Sequence, residues 1–274
     1  MSIKQTVTLN NGIEMPQLGL GVFQSAEGEQ VETAVRTALD FGYRHIDTAA
    51  AYRNEEGVGR AVRASGIPRE EVFVTTKVWN NAQREGTVRE ALEESLRKLD
   101  LGYIDLYLVH WPVPEKYVET WLTLEKLYAE GKIKAIGVSN HKEHHFEDVL
   151  AAGSLVPTVN QMELHPRLRI ADLHSYLKSK NCWIEAWSPL MKARIFDNET
   201  IAELAGKYGK TPSQIVLRWH WQHEIVIIPK SSNPGRIVEN GSFFDFELSA
   251  EEMAAIDALD RGERTGPDPD NFSF

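Results

Sequence analysis

Short apolar runs rich in β-branched and aromatic residues alternate along this chain with longer segments whose apolar residues recur at helical spacing. The chain opens with Val7 to Leu9 and Ile13 to Met15 on either side of Asn10-Asn11-Gly12. Asn-Gly supplies the positive φ angles of a tight turn, so a hairpin is predicted. Leu18 to Phe23 reads as a first short strand. Val31, Ala34, Val35, Ala38 and Leu39 then mark one face of a helix that Gly42 ends. From the strand His45-Ile46-Asp47 onward the alternation is regular: helix over Asn54 to Ala64, strand over Val72 to Val78, and a helix with its apolar stripe at Val88, Ala91, Leu92, Leu96 and Leu99. Thr87 and Glu90 have the spacing of a capping box at its start. Ile104 to His110 is strand again, and Trp121, Leu124, Leu127 and Tyr128 lie on a helix stopped near Gly131. Further strands are expected at Ala135 to Ser139, Val159 to Glu163, Trp183 to Ser188 and Ile225 to Pro229. Thr211-Pro212-Ser213-Gln214 opens one of the helices between them and Ser249-Ala250-Glu251-Glu252 opens a last one. The tail from Gly262 is expected to be loose.

Sustained strand-helix alternation implies parallel strands joined by crossover helices. About eight such units in a chain of this length predict an α/β fold of the (β/α)₈ TIM-barrel type, with an N-terminal β-hairpin and a short C-terminal tail. No linker or composition break interrupts the pattern, so one domain over 1–274 is expected. An open doubly wound sheet is the alternative. It would carry a Gly-rich phosphate turn early, and neither Gly19-x-Gly21 nor Gly57-x-Gly59 has the third glycine of that turn.

With 42% hydrophobic and 26% charged residues, the composition is that of an ordinary globular chain. A formal net charge of −10 argues against nucleic acid or an anionic membrane as partner, since both select a basic face. Cys182 is the sole cysteine, so no intrachain disulfide forms and no oxidising compartment is required. No apolar run is long enough to span a bilayer, and the N-terminus lacks the apolar stretch of a signal peptide. A cytoplasmic monomer is expected.

In a barrel of this kind, functional groups gather where the strands end. Those ends carry Asp47, Lys77, His110, Ser139 with Asn140, Gln161, Ser188 and Lys230, with Tyr52 just beyond Asp47. Each has a plainer role when taken alone: Asp47 as a helix cap, Lys77 on the rim, His110 as a satisfied core histidine, Ser139-Asn140 capping the next helix. Together they fall on one face. Asp47, Tyr52, Lys77 and His110 suit acid catalysis at an oxygen. A nearby ammonium lowers the pKa of a phenol, a carboxylate holds that ammonium in place, and a histidine orients the oxygen. No zinc set is apparent, so no metal is expected.

The chain resembles the aldo-keto reductase family over essentially its whole length. The resemblance rests on Gly42-Tyr43-Arg44-His45-Ile46-Asp47-Thr48-Ala49, Tyr52 with Asn54-Glu55, Lys77, Asp105 to Pro112, Gly137-Val138-Ser139-Asn140, Asn160-Gln161, and Ile228-Pro229-Lys230-Ser231 with Arg236 and Glu239-Asn240. It implies Tyr52 as proton donor, Asp47 and Lys77 as the pair that tunes it, and His110 as the group that orients a carbonyl. It implies NADPH/NADP⁺ as cofactor, with Ser139, Asn140 and Gln161 on the nicotinamide carboxamide and Trp187 stacked on its ring, next to Ser188. Lys230, Ser231, Ser232 and Arg236 are then expected to hold a phosphate at a helix N-terminus, with Glu239 and Asn240 near the adenine. Trp187 stands where many members carry Tyr, and Ser232 where an apolar residue is common. The short loop after Pro112 and the short tail resemble the microbial branch that includes diketogluconate and methylglyoxal reductases. Short loops suggest an open pocket for a small carbonyl substrate, with Phe23, Trp79 and Trp111 as its walls. Two other readings stay open: a non-catalytic barrel that binds nucleotide as a sensor or partner subunit, and a barrel hydrolase or isomerase acting on a phosphorylated metabolite through His110 and Asp47.

Overall fold

The computed structural model describes residues 2–274. A two-stranded antiparallel hairpin, β1 (Thr6–Thr8) and β2 (Glu14–Pro16), turns at Gly12 with φ 85°. Eight parallel strands follow in chain order: β3 (Leu20–Gly21), β4 (His45–Asp47), β5 (Phe73–Val78), β6 (Ile104–Val109), β7 (Ile133–Ser139), β8 (Val159–Glu163), β9 (Trp183–Trp187) and β10 (Val226–Ile227). Each pairs with the next, and the two ends meet. Leu18 bridges Ile227 and Gly21 bridges Lys230, while Gly19 donates to Ile227 O at 2.8 Å and Ile227 donates back to Gln17 O at 2.9 Å. The sheet thus closes into the expected barrel. At the seam β3 presents glycine to the interior. A Cβ on Gly21 would press on the Ile228 carbonyl oxygen, so the strands approach closely only because no side chain is there.

The helices are α1 (Glu29–Phe41), α2 (Glu55–Ala64), α3 (Asn80–Glu85), α4 (Val88–Leu99), α5 (Tyr117–Ala129), α6 (Glu143–Ala152), α7 (Ala171–Ser179), α8 (Glu199–Tyr208), α9 (Pro212–Gln222), α10 (Pro234–Asn240) and α11 (Ala250–Asp257). Their apolar stripes pack on the outward residues of the strands, such as Ile46, Val74, Tyr107 and Val138. Inward residues alternate with these. At the bottom of the barrel Phe73, Leu106, Leu108, Ala135, Val159 and Val226 pack with Val7, Leu9 and Met15, so the hairpin is the floor. One step up, the same alternation places His45, Thr75, Gln161 and Glu185, all buried. The interior of a parallel barrel is expected to be apolar, and here its middle layer is not.

Three local expectations are corrected. Thr87 precedes α4 but makes no capping bond. Its φ/ψ of −102°/38° is not the extended conformation of a cap, because α3 leads almost directly into α4 through Gly86, and Thr87 N–H closes on Ala82 O. The cap of α6 is Lys142, whereas Ser139 and Asn140 turn inward. The tail is not loose. Glu163 Oε1 accepts from Thr265 N and Oγ1 at 2.6 Å, and Lys142 Nζ pairs with Asp268 and Asp270 at 2.6 Å. Asn80 Nδ2 and Arg84 Nη2 both donate to Phe274 O. The capping boxes at Thr211 and Ser249 form as read.

Candidate active site

Asp47 ends β4, and the chain then makes a single 3₁₀ turn over Ala50–Tyr52 that carries Tyr52 back over the barrel mouth. Arg53 follows with φ 57°, and Asn54 locks the turn. The Asn54 amide donates to Val22 O at 2.9 Å and Ser25 O at 3.0 Å and accepts from Thr48 Oγ1 at 2.7 Å. This is a local reason for a buried Asn: it ties the phenol-bearing turn to the loop after β3.

Lys77 on β5 reaches the same pit. Its ammonium donates to Asp47 Oδ1 at 2.7 Å, Asp47 Oδ2 at 2.8 Å and Thr48 O at 2.8 Å, and it stands 5.1 Å from the centroid of the Tyr52 ring. Burial works against the lysine charge, but Asp47 and Tyr52 outweigh it and its pKa lies above the usual value. Burial likewise pushes the Asp47 carboxyl up, with Lys77 and Gln161 opposing. The pair is ionic, since each charge would otherwise be stranded in the barrel. For Tyr52 the balance differs from expectation. Burial raises its pKa, and Lys77 offsets only part of that rise. His110, at the end of β6, meets the Tyr52 ring edge-on with centroids 5.7 Å apart. Burial and the Lys77 charge hold its pKa well below the usual value, so the imidazole is neutral, and its buried Nδ1 has no partner among the described residues.

The residues expected around a nicotinamide form a linked set. Ser139 Oγ donates to Gln161 O at 2.9 Å, Asn140 Nδ2 donates to His110 O at 3.0 Å, and Trp187 Nε1 donates to Asn140 Oδ1 at 2.9 Å. Asn140 and Ser188 have φ of 62° and 53°, so two strands end on left-handed residues at one mouth. Ser188 Oγ lies 3.4 Å from Thr265 Oγ1. The Gln161 amide faces inward, donating to Asp47 Oδ2 at 2.8 Å and Glu185 Oε2 at 2.6 Å.

Lys230 sits on the same rim, bridged to Gly21, which pairs in turn with Asp47. Lys230 and Arg236 are exposed, and neither has an ion-pair partner among the described residues. The expected helix N-terminus is already capped. Asn233 Oδ1 accepts from Arg236 N at 3.1 Å and Ser231 Oγ accepts from Asn233 N at 3.1 Å, so an anion there would rest on side chains. Ser232 is half-buried beside them. Glu239 is committed elsewhere, accepting from Thr211 Oγ1 at 3.0 Å and Ser213 Oγ at 2.6 Å, and Asn240 is buried.

Phe23, 50% exposed, tilts over Tyr52 at 5.0 Å, and Trp79 meets His110 edge-on at 5.0 Å. Trp111 is buried because the tail covers it. Phe272 and Phe274 lie 5.1 and 5.2 Å from its ring, and Phe274 also stacks on Trp79 at 5.8 Å. Sequence reasoning missed both phenylalanines, although two aromatics in a polar tail were a signal. It also passed over Glu185, an acid within the otherwise apolar run Trp183 to Trp187. Among the described residues, His144, His145 and Asp270 are close enough to share a cation. Lys142 already neutralises Asp270, and His145 Nδ1 accepts from Lys142 N, so the group serves as a clamp on the tail.

The profile described as Aldo/keto reductase family matches residues 17–261. The chain is 52% identical to glyoxal reductase of Bacillus subtilis (strain 168), over 100% of this chain and 99% of that protein. It is 49% identical to methylglyoxal reductase DkgA of Escherichia coli (strain K12), over 99% of each. Its fold matches a crystal structure of a Gox0644 variant in complex with NADPH, with TM-score 0.94 and 41% identity over 99% of each chain.

Proposed function

The chain belongs to the aldo/keto reductase family, and from that premise we propose that it reduces small aldehydes, ketones or α-dicarbonyls with NADPH, using Tyr52 as the proton donor. The observation that carries this reading is the buried Asp47–Lys77 ion pair set under the Tyr52 ring, with a neutral His110 beside it. The cofactor supplies a hydride when bound. The residues present fit it: Gln161 has both N–H groups held by carboxyls, which leaves its carbonyl oxygen as the free end of the amide, and Lys230 on the same rim and Arg236 in α10 have no ion-pair partner among the described residues. Ser139, Asn140 and Gln161 would hold the carboxamide, with Trp187 and Ser188 alongside. Lys230, Ser231, Ser232 and Arg236 would take a phosphate.

His110 offers a hydrogen bond to the substrate carbonyl oxygen and fixes its position near the Tyr52 hydroxyl. Tyr52 gives its proton to that oxygen as negative charge develops there. The phenolate left behind is stabilised by the Lys77 ammonium, which Asp47 keeps charged. A phenol raised by burial stays protonated through neutral pH, which suits the reduction direction. Phe23, Trp79 and Trp111, with Phe272 and Phe274 from the tail, exclude water from one side of the pit. Relatives named for glyoxal and methylglyoxal support small α-dicarbonyls as substrates.

The test follows NADPH oxidation with methylglyoxal and with a simple aromatic aldehyde, for wild type beside Tyr52→Phe. Removing the general acid should lower kcat by about 10²–10⁴ while NADPH binding, read by tryptophan quenching, stays unchanged. Turnover retained in the variant would remove Tyr52 from its role. Wild-type silence with NADPH still bound would favour a sensor.

A further inference from the structure

Below the reacting groups lies a second buried acid that the steps above do not use. Glu185 on β9 is fully buried, and its Oε2 accepts from Gln161 Nε2 at 2.6 Å. The same nitrogen donates to Asp47 Oδ2 at 2.8 Å. One amide therefore bridges two carboxyl groups, and its two hydrogens are both used. The other oxygen of Glu185 has no hydrogen-bond partner among the described residues and lies 3.8 Å from His45 Nε2. His45 is turned toward Thr75 Oγ1 at 3.0 Å and has an unpartnered Nδ1 against Gly19, where a Cβ would not fit.

We propose that Glu185 is a positioning residue for the reaction, a buried acid that locks the amide of Gln161 and sets the charge felt by the Lys77–Tyr52 pair. The inference deepens the reductase reading and rests on it. The ionisable groups facing Glu185 are His45 and Asp47 from β4, Lys77 from β5 and, further off, Tyr52. From β8 comes the uncharged Gln161, and β10 contributes only Val226 and Ile227. His45 is neutral, since burial and the Lys77 charge hold its pKa at about 3. The layer thus contains one full cation, Lys77, and two carboxyls. Asp47 is the ionised one, because it has two bonds from the ammonium. Glu185 keeps its proton: burial and the Asp47 charge push its pKa up to about 8.

The consequence is geometric and electrostatic. The paired acids fix which end of the Gln161 amide faces down, and so which end faces the mouth. While Glu185 is neutral, the Lys77 charge is balanced by Asp47 alone. Once Glu185 ionises, a second anion enters the layer and raises the Tyr52 pKa further, making it a weaker acid.

The experiment compares the full chain with Glu185→Gln, which keeps the shape and the bond to Gln161 but cannot ionise. In wild type, carbonyl reduction should fall as pH rises through about 8. In the variant that limb should be gone, so that its rate at alkaline pH matches its own rate near neutral pH. A second readout needs no cofactor. The native wild type holds a proton that the unfolded chain releases near about 4.3. Wild type therefore loses stability, relative to the variant, as pH rises from there to about 8, and the difference is constant above it. The gap in melting temperature between the two apoproteins should widen over that window and then level off. If the variant does not fold, Glu185→Asp keeps the ionisation, but its shorter side chain draws the carboxyl back and lengthens or breaks the bond to Gln161. Its alkaline limb should persist while NADPH binding weakens. Superimposable pH profiles for wild type and Glu185→Gln would overturn the role of Glu185 alone, whereas a wild type with no reductase activity would overturn both readings.

Discussion

The Lys77 ammonium donates to both carboxylate oxygens of Asp47 and to Thr48 O. Tyr52 feels the lysine first as a charge at close range and then as a hydrogen-bond partner, and both lower its pKa. Asp47, Lys77 and His110 were legible in the sequence because each ends a strand whose inward positions alternate by two. The direction of the Tyr52 shift was not, because it depends on the depth of the pit, which no spacing encodes. Glu185 was hidden for the opposite reason: it stands mid-strand, where a polar residue looks like an interruption of the pattern. Arg236 was legible as a cation close after a strand end, and its test belongs at this scale. Exposed and without an ion-pair partner among the described residues, it has charge free for a phosphate. Arg236→Ala should weaken NADPH binding by about 10-fold or more, the range for a hydrogen bond to a charged group, and NADH by less than about twofold. Titrating both nucleotides by fluorescence quenching checks this, and equal losses would remove the phosphate role.

Among the elements, strands and long helices were readable from periodicity, while the pieces that shape the mouth were not. α3 is six residues long, too short to carry a period, and it displaced the cap expected at Thr87. The tail has no regular structure. Its order comes from Glu163, Lys142, Asn80 and Arg84, side chains that sequence places far away. Helix packing shows the same dependence on distant partners. Gly59 in α2 faces the end of α4 so closely that a Cβ would collide with the Leu99 carbonyl oxygen. Backbone cannot step aside as a flexible side chain can. Gly59→Ala should destabilise the protein by about 1–3 kcal/mol, as overpacking does, despite the better helix propensity of alanine. Urea unfolding would measure it, and an unchanged or raised midpoint would contradict the close approach.

For the whole molecule, buried titratable groups make stability depend on pH in a direction that can be worked out. His45, His110, His141 and His220 are buried and neutral, with pKa values depressed by burial, to about 3 for His45 and His141 and about 4 for His220. The unfolded chain protonates each near about 6.5. Below that pH the unfolded state binds more protons, so stability falls as pH falls, by about 1.4 kcal/mol per unit for each histidine. Glu185 has the opposite sign over its own window, with one proton against four. Urea midpoints should therefore drop steadily between about pH 7 and 5. A flat profile would mean that these histidines charge in place.

The closure of the barrel has a consequence for how the chain is made. The edge of β3 is satisfied only by Ile227, Pro229 and Lys230, which are translated long after it. Until those residues leave the ribosome, the growing sheet has an unpaired border at Leu18 to Gly21, open to any extended segment of another nascent chain. Two glycines on that border make it a poor template, since they give a stray strand few side chains to pack against. The narrow seam that lets the first and last strands meet also protects the chain while it waits.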